Sequence, residues 1–216
     1  MKTFFLLAAA MLLTIAASAE VIPANDSRVT YVGRTLVEGT DVSFDWTATY
    51  FRIAFSGKSL TMKASETKWD ADADKAATRH NYYNVWIDSP TSAEPHRIIE
   101  VTGNDTIIEL IDPAYLKKSR RAVHEVIVQK RTEGEQGKTT VHEFATDGKF
   151  FQAEPLKVRQ LEFIGDSYTC GYGIDAQSRK ERFTPETENA SRSYAGIVSR
   201  YFGADYVAIA HSGMGI

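Results

Sequence analysis

Residues 161–173, LEFIGDSYTCGYG, decide the fold of the second half of this 216-residue chain. With Val158, the apolar residues of this stretch form a short run that ends at Gly165. Such a run is typical of a buried strand in a parallel sheet. Ser167 follows the carboxyl end of this predicted strand, where open α/β sheets bind their ligands. The glycines of the stretch favour a sharp turn with room for a substrate beside Ser167.

A second strand with a similar ending is predicted downstream. Ser191 or Ser193 can cap a helix, and Gly203 can end it. Its apolar residues follow the spacing of one buried helical face, at positions 194, 197, 198, 201 and 202. A second buried strand then leads into the sequence His-Ser-Gly-Met-Gly at 211–215. We expect one βαβ unit with a right-handed crossover, which brings Ser167 and Gly213 to the same edge of the sheet.

These two stretches resemble known sequence blocks. Phe-Ile-Gly-Asp-Ser-Tyr-Thr-Cys-Gly-Tyr-Gly resembles the nucleophile block of the SGNH (GDSL-like) hydrolases, and its Gly-Tyr-Gly tail is similar to that of carbohydrate esterase family 2. The Ser-Gly-x-Gly ending resembles the second SGNH block. The resemblance implies that Ser167 attacks an acetyl ester and that the N–H groups of Ser167 and Gly213 bind the oxyanion. It implies neither a metal nor an organic cofactor, and it assigns no substrate-binding residue.

The resemblance also implies residues that have no match in this sequence. The family's oxyanion-hole asparagine and its catalytic histidine with an aspartate belong to later blocks, which we expect beyond residue 216. We therefore expect an amino-terminal fragment that is inactive alone, because a serine needs a base to become a good nucleophile. His211 is the alternative base, but a structural role at the rim is favoured. Cys170 is the alternative nucleophile, but packing is favoured.

The amino-terminal half is rich in predicted strands. Short segments with alternating apolar residues are separated by turn signals. The candidate strands are 29–33, 42–44, 50–55, 59–63, 82–87, 97–101, 106–111, 123–130 and 139–144. This pattern predicts a jelly-roll-like β-sandwich followed by the first βαβ unit of an SGNH α/β hydrolase domain. We divide the chain into a signal peptide (1–19), a sandwich (20–151), a linker (152–155) and the start of the SGNH domain (156–216).

The first 19 residues are typical of a secretory signal peptide. Lys2 supplies a positive charge, residues 4–15 are mostly apolar, and Ala17-Ser18-Ala19 is a suitable cleavage site. A membrane anchor is the alternative, but the apolar run is too short to span a bilayer. We expect a secreted or periplasmic protein.

Three other features could be mistaken for sites. Asp70, Asp72 and Asp74 have the spacing that opens a calcium loop, but Lys75 and Asn81 stand where such a loop requires glycine and glutamate. The basic cluster at 117–121 is favoured as a solvated connection. A set of aromatic residues could form a sugar-binding platform, although core packing is favoured. These residues are Trp46, Trp69, Tyr82, Tyr83 and Trp86.

Composition restricts the function classes further. The 25 basic and 28 acidic residues give no electrostatic reason to expect nucleic acid, and one cysteine excludes an intrachain disulfide. We predict a secreted, monomeric carbohydrate esterase that removes O-acetyl groups from polysaccharides or oligosaccharides, such as xylan or glucomannan, with no membrane partner. The alternatives are a non-catalytic carbohydrate-binding protein and an SGNH lipase or thioesterase.

Overall fold

A computed structural model describes residues 19–68 and 79–214. The signal-peptide prediction, apart from Ala19, lies outside these residues, as do Trp69 and the acidic loop at 70–74. Most of the regular structure is strand, arranged in two six-stranded sheets and one two-stranded sheet. Within the described ranges, no helix has both the length and the apolar character needed to cross a bilayer.

Both six-stranded sheets are antiparallel. The first contains β1 (Glu20–Pro23), β3 (Leu36–Glu38), β4 (Asp41–Phe44), β6 (Leu60–Thr67), β9 (Thr106–Glu109) and β11 (Lys138–Thr146), in the order β3-β4-β11-β6-β9, with β1 on β11. The second contains β2 (Thr30–Val32), β5 (Tyr50–Phe55), β7 (Asn81–Ile87), β8 (Arg97–Val101), β10 (His124–Lys130) and β12 (Phe150–Phe151), in the order β12-β5-β10-β7-β8, with β2 on β5. A short helix, α1 (Pro113–Lys118), lies between β9 and β10.

One apolar core joins the two large sheets. It contains alternate residues of strands from both, for example Met62 of β6 and Val128 of β10. In β5, Phe51, Ile53 and Phe55 all belong to this core, as their spacing of two predicts. The two-layer arrangement agrees with the predicted architecture, whereas the jelly-roll-like connection order and the domain boundaries remain predictions.

The outer face of the second sheet is covered as well. Tyr50 of β5 joins a smaller apolar cluster with Ala195 and Tyr206, against which Ile127 of β10 packs. Arg52, in the middle of β5, is buried by the same contact and pairs with the buried Asp205. The carboxyl-terminal region therefore packs on the back of this sheet through Ala195, Asp205 and Tyr206, and all six residues of β5 are buried.

The carboxyl-terminal region contains the predicted parallel pair. Strands β13 (Gln160–Gly165) and β14 (Asp205–Ala210) run parallel, with Gly165 opposite Ala210. The helices α2 (Ser167–Cys170) and α3 (Tyr194–Tyr201) lie between them in the chain.

Two burial predictions for this region are wrong. Val158 and Ile164 are exposed rather than buried. Val158 precedes β13, and β13 pairs with β14 alone among the described strands, which leaves the side of the strand that carries Ile164 uncovered. Four of the five residues predicted to form the buried face of α3 are exposed too, with Tyr201 83% accessible, and only Val198 is half-buried. The helix instead packs through Ala195 and Gly196, and a Cβ at Gly196 would lie 2.3 Å from the Ser191 carbonyl oxygen.

The remaining differences concern short elements. The sequence patterns missed strands β1, β3 and β12 and helices α1 and α2, each of which has six residues or fewer. At α1, Asp112 caps Ala114 N–H at 2.7 Å, and Pro113 occupies the first helical position. These features favour a helix start, although six residues are too few to form an apolar periodicity.

Candidate active site

Ser167 lies at the start of α2, immediately after strand β13. The Asp166 side chain accepts the Tyr168 N–H at 3.0 Å and so caps this short helix. Ser167 is half-buried, and in the described ranges its Oγ has no hydrogen-bond partner. Room was predicted at three glycines, but a Cβ at Gly165 would lie 2.1 Å from Thr169 Oγ1 and one at Gly171 would lie 2.4 Å from the Asn189 carbonyl oxygen, so only Gly173 of the three has open space around it. The hydroxyl of Ser167 is thus left free beside a tightly packed turn.

Gly213 lies in the turn that follows β14. Met214 N–H donates to the His211 carbonyl at 3.2 Å, which closes a four-residue turn, and Gly213 has a φ of +81° at its third position. A φ of this sign favours glycine. The parallel pairing brings this turn and the Ser167 loop to the same sheet edge, as predicted. In the described part of the chain, neither the Ser167 N–H nor the Gly213 N–H donates to another group.

The two alternative assignments do not match the geometry. His211 Nδ1 lies 2.8 Å from the Ser212 carbonyl oxygen, and no described contact joins the imidazole to Ser167. Cys170 is fully buried. Burial, reinforced by the negative charge of Glu133, raises the pKa of its thiol well above the usual range. A protonated thiol without solvent access is a poor nucleophile.

A cavity of about 500 Å³ adjoins the Gly213 turn. It lies between loops of the amino-terminal sheets and the end of β14, and its lining residues are Asp45, Trp46, Arg79, Gly134, Glu135, Ala210 and His211. Trp46 is half-buried there, while Tyr83 and Trp86 are buried. Ala48, two residues later, has a φ of +61° and is held through its N–H by the Lys130 carbonyl. This left-handed alanine fixes the loop that carries Trp46.

A second cavity of about 500 Å³ lies between the second sheet and α3. Its lining includes Arg52, Glu125 and Tyr206 but no residue of 166–173 or 211–214. It is therefore not the candidate site.

A buried polar cluster lies beneath the surface next to the Ser167 loop and the Gly213 turn. Its members are Lys130, Glu133, Cys170 and Glu188, and each is fully buried. Lys130 Nζ donates to three backbone carbonyls, those of Asp45, Thr132 and Glu133, at 2.8–2.9 Å. Burial lowers the pKa of Lys130 to about 8. Burial, followed by the charge of Glu133, raises the pKa of Glu188 well above 4.5.

Three side chains of this cluster bring possible metal ligands together. Atoms of Glu133, Cys170 and Glu188 lie within 4.8 Å of one another. The donor set fits a metal poorly, because Glu133 Oε2 already accepts the Ser212 N–H, Glu188 Oε2 accepts the Glu133 N–H, and the cationic Lys130 side chain lies in the same cluster. The cluster is better described as a hydrogen-bonded support.

The protonation of Glu188 predicts a particular pH dependence of stability. Because its native pKa lies above that of the unfolded chain, the native state holds the extra proton, and the free energy of unfolding falls as pH rises above 4.5. Glu188→Gln keeps the shape of the side chain but does not titrate. Its free energy of unfolding should therefore fall less steeply with pH between about pH 5 and 7, by at most about 1.4 kcal/mol per pH unit. Urea unfolding at several pH values measures this.

Glu162→Gln is the matched control for Glu188→Gln. Glu162 is an exposed carboxylate on β13, so its variant should keep the wild-type slope. Equal slopes in wild type and Glu188→Gln would contradict the assigned protonation.

Comparisons with known proteins agree with this fold. The sequence profile of the family described as "Carbohydrate esterase 2 N-terminal" matches residues 31–155. An acetylxylan esterase / glucomannan deacetylase of Cellvibrio japonicus (strain Ueda107) is 31% identical in an alignment of 195 positions that covers 85% of this chain and 47% of that protein. The chain thus spans about half the length of this relative.

Two solved structures share the fold. A family two carbohydrate esterase from Cellvibrio japonicus matches with a TM-score of 0.76 and 22% identity, over 92% of this chain and 54% of that one. A family two carbohydrate esterase from Clostridium thermocellum in complex with cellohexaose matches with a TM-score of 0.73 and 26% identity, over 87% and 52%. These structural neighbours are family 2 carbohydrate esterases with an SGNH-like fold. The chain belongs to carbohydrate esterase family 2.

Proposed function

We propose that this protein is a secreted esterase that removes O-acetyl groups from a polysaccharide by serine acyl transfer. One observation carries the proposal: the parallel pairing of β13 and β14 brings Ser167 and the Gly213 turn to one sheet edge. The signal-like residues 1–19 support export to the periplasm or the medium. We propose that the protein acts as a monomer. The reaction requires neither a metal nor an organic cofactor, and we expect neither nucleic acid nor a membrane as a partner.

The proposed reaction uses atoms of both loops. Ser167 Oγ loses its proton to a base and attacks the acetyl carbonyl carbon, and the N–H groups of Ser167 and Gly213 stabilise the negative oxygen. The bond between the carbonyl carbon and the sugar oxygen then breaks, and that oxygen takes up a proton. Water hydrolyses acetyl-Ser167 to release acetate. We assign no base among the described residues, since His211 makes no contact with Ser167.

The cavity next to the Gly213 turn is the proposed sugar subsite. An indole face such as that of Trp46 buries the apolar side of a pyranose ring. At the rim, Arg79 and Glu135 lie 3.6 Å apart and are partly exposed, so both can bind sugar hydroxyls. The names of the Cellvibrio japonicus relatives make acetylated xylan and glucomannan the substrates to test first.

A Trp46 variant tests the subsite. Trp46→Ala should raise KM for acetylated xylan by about tenfold, the equivalent of 1.4 kcal/mol of lost binding. It should leave KM for 4-nitrophenyl acetate, which has no sugar ring, unchanged. Tyr115→Ala, which removes a partly exposed aromatic elsewhere, is the control. A KM for xylan equal to that of the wild type would remove Trp46 from the proposed subsite.

Substrate length separates the esterase from the lipase alternative. Rates with 4-nitrophenyl acetate, butyrate and octanoate should fall steeply with length, because an acetyl group needs only a small pocket and a long acyl chain needs an apolar groove. The assay uses the protein expressed from its complete reading frame. A flat or rising series would favour the SGNH lipase or thioesterase. Binding of xylan without release of acetate would favour the non-catalytic binding protein.

A further inference from the structure

Glu133 is a residue of the amino-terminal half that reaches the loops of the proposed site. It follows the carboxyl end of β10, where Gln129, Arg131 and Glu133, at a spacing of two, all contact the carboxyl-terminal region. Gln129 Nε2 donates to Tyr206 Oη at 3.1 Å, and Arg131 pairs with Asp175 at 2.7 Å. Glu133, the third of the series, is buried next to the Ser167 loop and the Gly213 turn.

The Glu133 carboxylate contacts both loops at once. Its Oε2 accepts the Ser212 N–H at 2.6 Å, directly before Gly213. The same oxygen lies 3.7 Å from Cys170 Sγ, in the helix that begins with Ser167. One oxygen atom therefore connects the turn with the proposed oxyanion donor to the helix with the proposed nucleophile.

Glu133 is itself firmly held. It is fully buried. Its carbonyl accepts the Lys130 ammonium at 2.9 Å, and its N–H donates to Glu188 Oε2 at 3.2 Å. A hydrogen bond from an N–H to a carboxylate is about twice as strong as a neutral one, and burial keeps water from competing for it. The position of the Ser212 N–H is thus fixed by the amino-terminal sheet.

We propose that Glu133 is a positioning residue of the esterase site, which sets the Gly213 N–H relative to Ser167 by holding the Ser212 N–H. This inference rests on the proposed function. A backbone donor stabilises the oxyanion only at hydrogen-bond distance from its position in the transition state. A displacement of about 1 Å can reduce the rate about 100-fold.

Two variants of Glu133 test the proposal. Glu133→Ala removes the acceptor, so kcat for 4-nitrophenyl acetate should fall by about 100-fold while KM changes by less than about threefold. Glu133→Gln keeps an oxygen that accepts the Ser212 N–H, so it should retain about ten times more activity than Glu133→Ala. It also remains informative where the alanine variant fails to fold.

Asp175→Asn is the matched control. It weakens another contact between the two halves of the chain, the pair with Arg131, but Asp175 has no described contact with residues 211–214. Its kcat should stay within about threefold of wild type. A loss in Asp175→Asn equal to that in Glu133→Ala would indicate general loosening of the interface and overturn the proposal.

Amide exchange of the turn provides a readout independent of activity. Exchange of the Ser212 N–H should be at least about tenfold faster in Glu133→Ala than in wild type and unchanged in Asp175→Asn. If Glu133→Ala showed unchanged exchange at Ser212, or faster exchange with an unchanged kcat, the positioning role of Glu133 would be overturned. The proposed function would still stand. A wild-type protein without any esterase activity would instead overturn the proposed function, and this inference with it.

Discussion

Ser167→Ala is expected to reduce the rate of acetate release by about 10⁴-fold or more, since removing the nucleophile stops covalent catalysis. The variant keeps the backbone N–H of residue 167 and the Asp166 cap, so substrate binding should remain. Ser167 Oγ has no hydrogen-bond partner in the described part of the chain, and its loss should not destabilise the fold. Initial rates with acetylated xylan and 4-nitrophenyl acetate measure the effect.

Ser92→Ala is the control for this experiment. Ser92 is an exposed serine of a surface turn, and its variant should keep the wild-type rate. A Ser167→Ala protein that retains more than about a tenth of the wild-type rate would exclude Ser167 as the nucleophile.

Asp205→Ala is expected to lower the free energy of unfolding by about 3–5 kcal/mol, because it leaves a buried charge without its partner. Asp205 is fully buried at the start of β14 and pairs with Arg52, which is also buried. It accepts Tyr50 Oη and the Lys157 N–H, both at 2.8 Å. Burial opposes ionisation, but hydrogen bonds from Arg52 and Lys157 outweigh it and lower the pKa of Asp205.

A surface pair that joins the same two halves of the chain serves as the control. Arg34 and Glu162 lie 3.5 Å apart and are each more than half exposed, so Glu162→Ala should change stability by less than about 1 kcal/mol. Urea unfolding measures both variants. Since the native pKa of Asp205 is lowered, its contribution is complete above 3.8 and is lost as pH falls through the native value. Equal stability of Asp205→Ala and Glu162→Ala would contradict the account.

Local patterns predicted the elements that depend on local physics. The alternation in residues 50–55 gave β5 its observed bounds, and the two apolar runs before Ser167 and Gly213 are the observed parallel pair. The strand end, the glycine and the serine occur together in sequence, so the candidate nucleophile could be found without coordinates.

The burial of individual side chains could not be predicted from local patterns, because it depends on contacts between segments that are distant in the sequence. Arg52 on the back of β5 is buried because it pairs with Asp205, 153 residues later, which no local pattern reveals. The apolar spacing of α3 predicted the wrong face, because Ala195 and Gly196 permit a closer approach than large side chains do.

The contact of Glu133 with the Gly213 turn could not be predicted from the sequence for a similar reason. The alternation through Gln129 and Arg131 extends to Glu133, but only the fold shows that this face meets the loop at Ser212. Trp46 was likewise one of five aromatic candidates until the cavity distinguished it.

The most direct test of the central claim is to locate the acetyl group during turnover. The protein expressed from its complete reading frame is mixed with 4-nitrophenyl acetate, quenched in acid and digested, and its peptides are analysed by mass spectrometry. We predict an acetyl group on Ser167 that appears within the first turnovers and is absent from Ser167→Ala. An acetyl group on another residue during turnover would contradict Ser167 as the esterase nucleophile. Turnover without any acetyl-enzyme, even when deacylation is slowed, would contradict it as well.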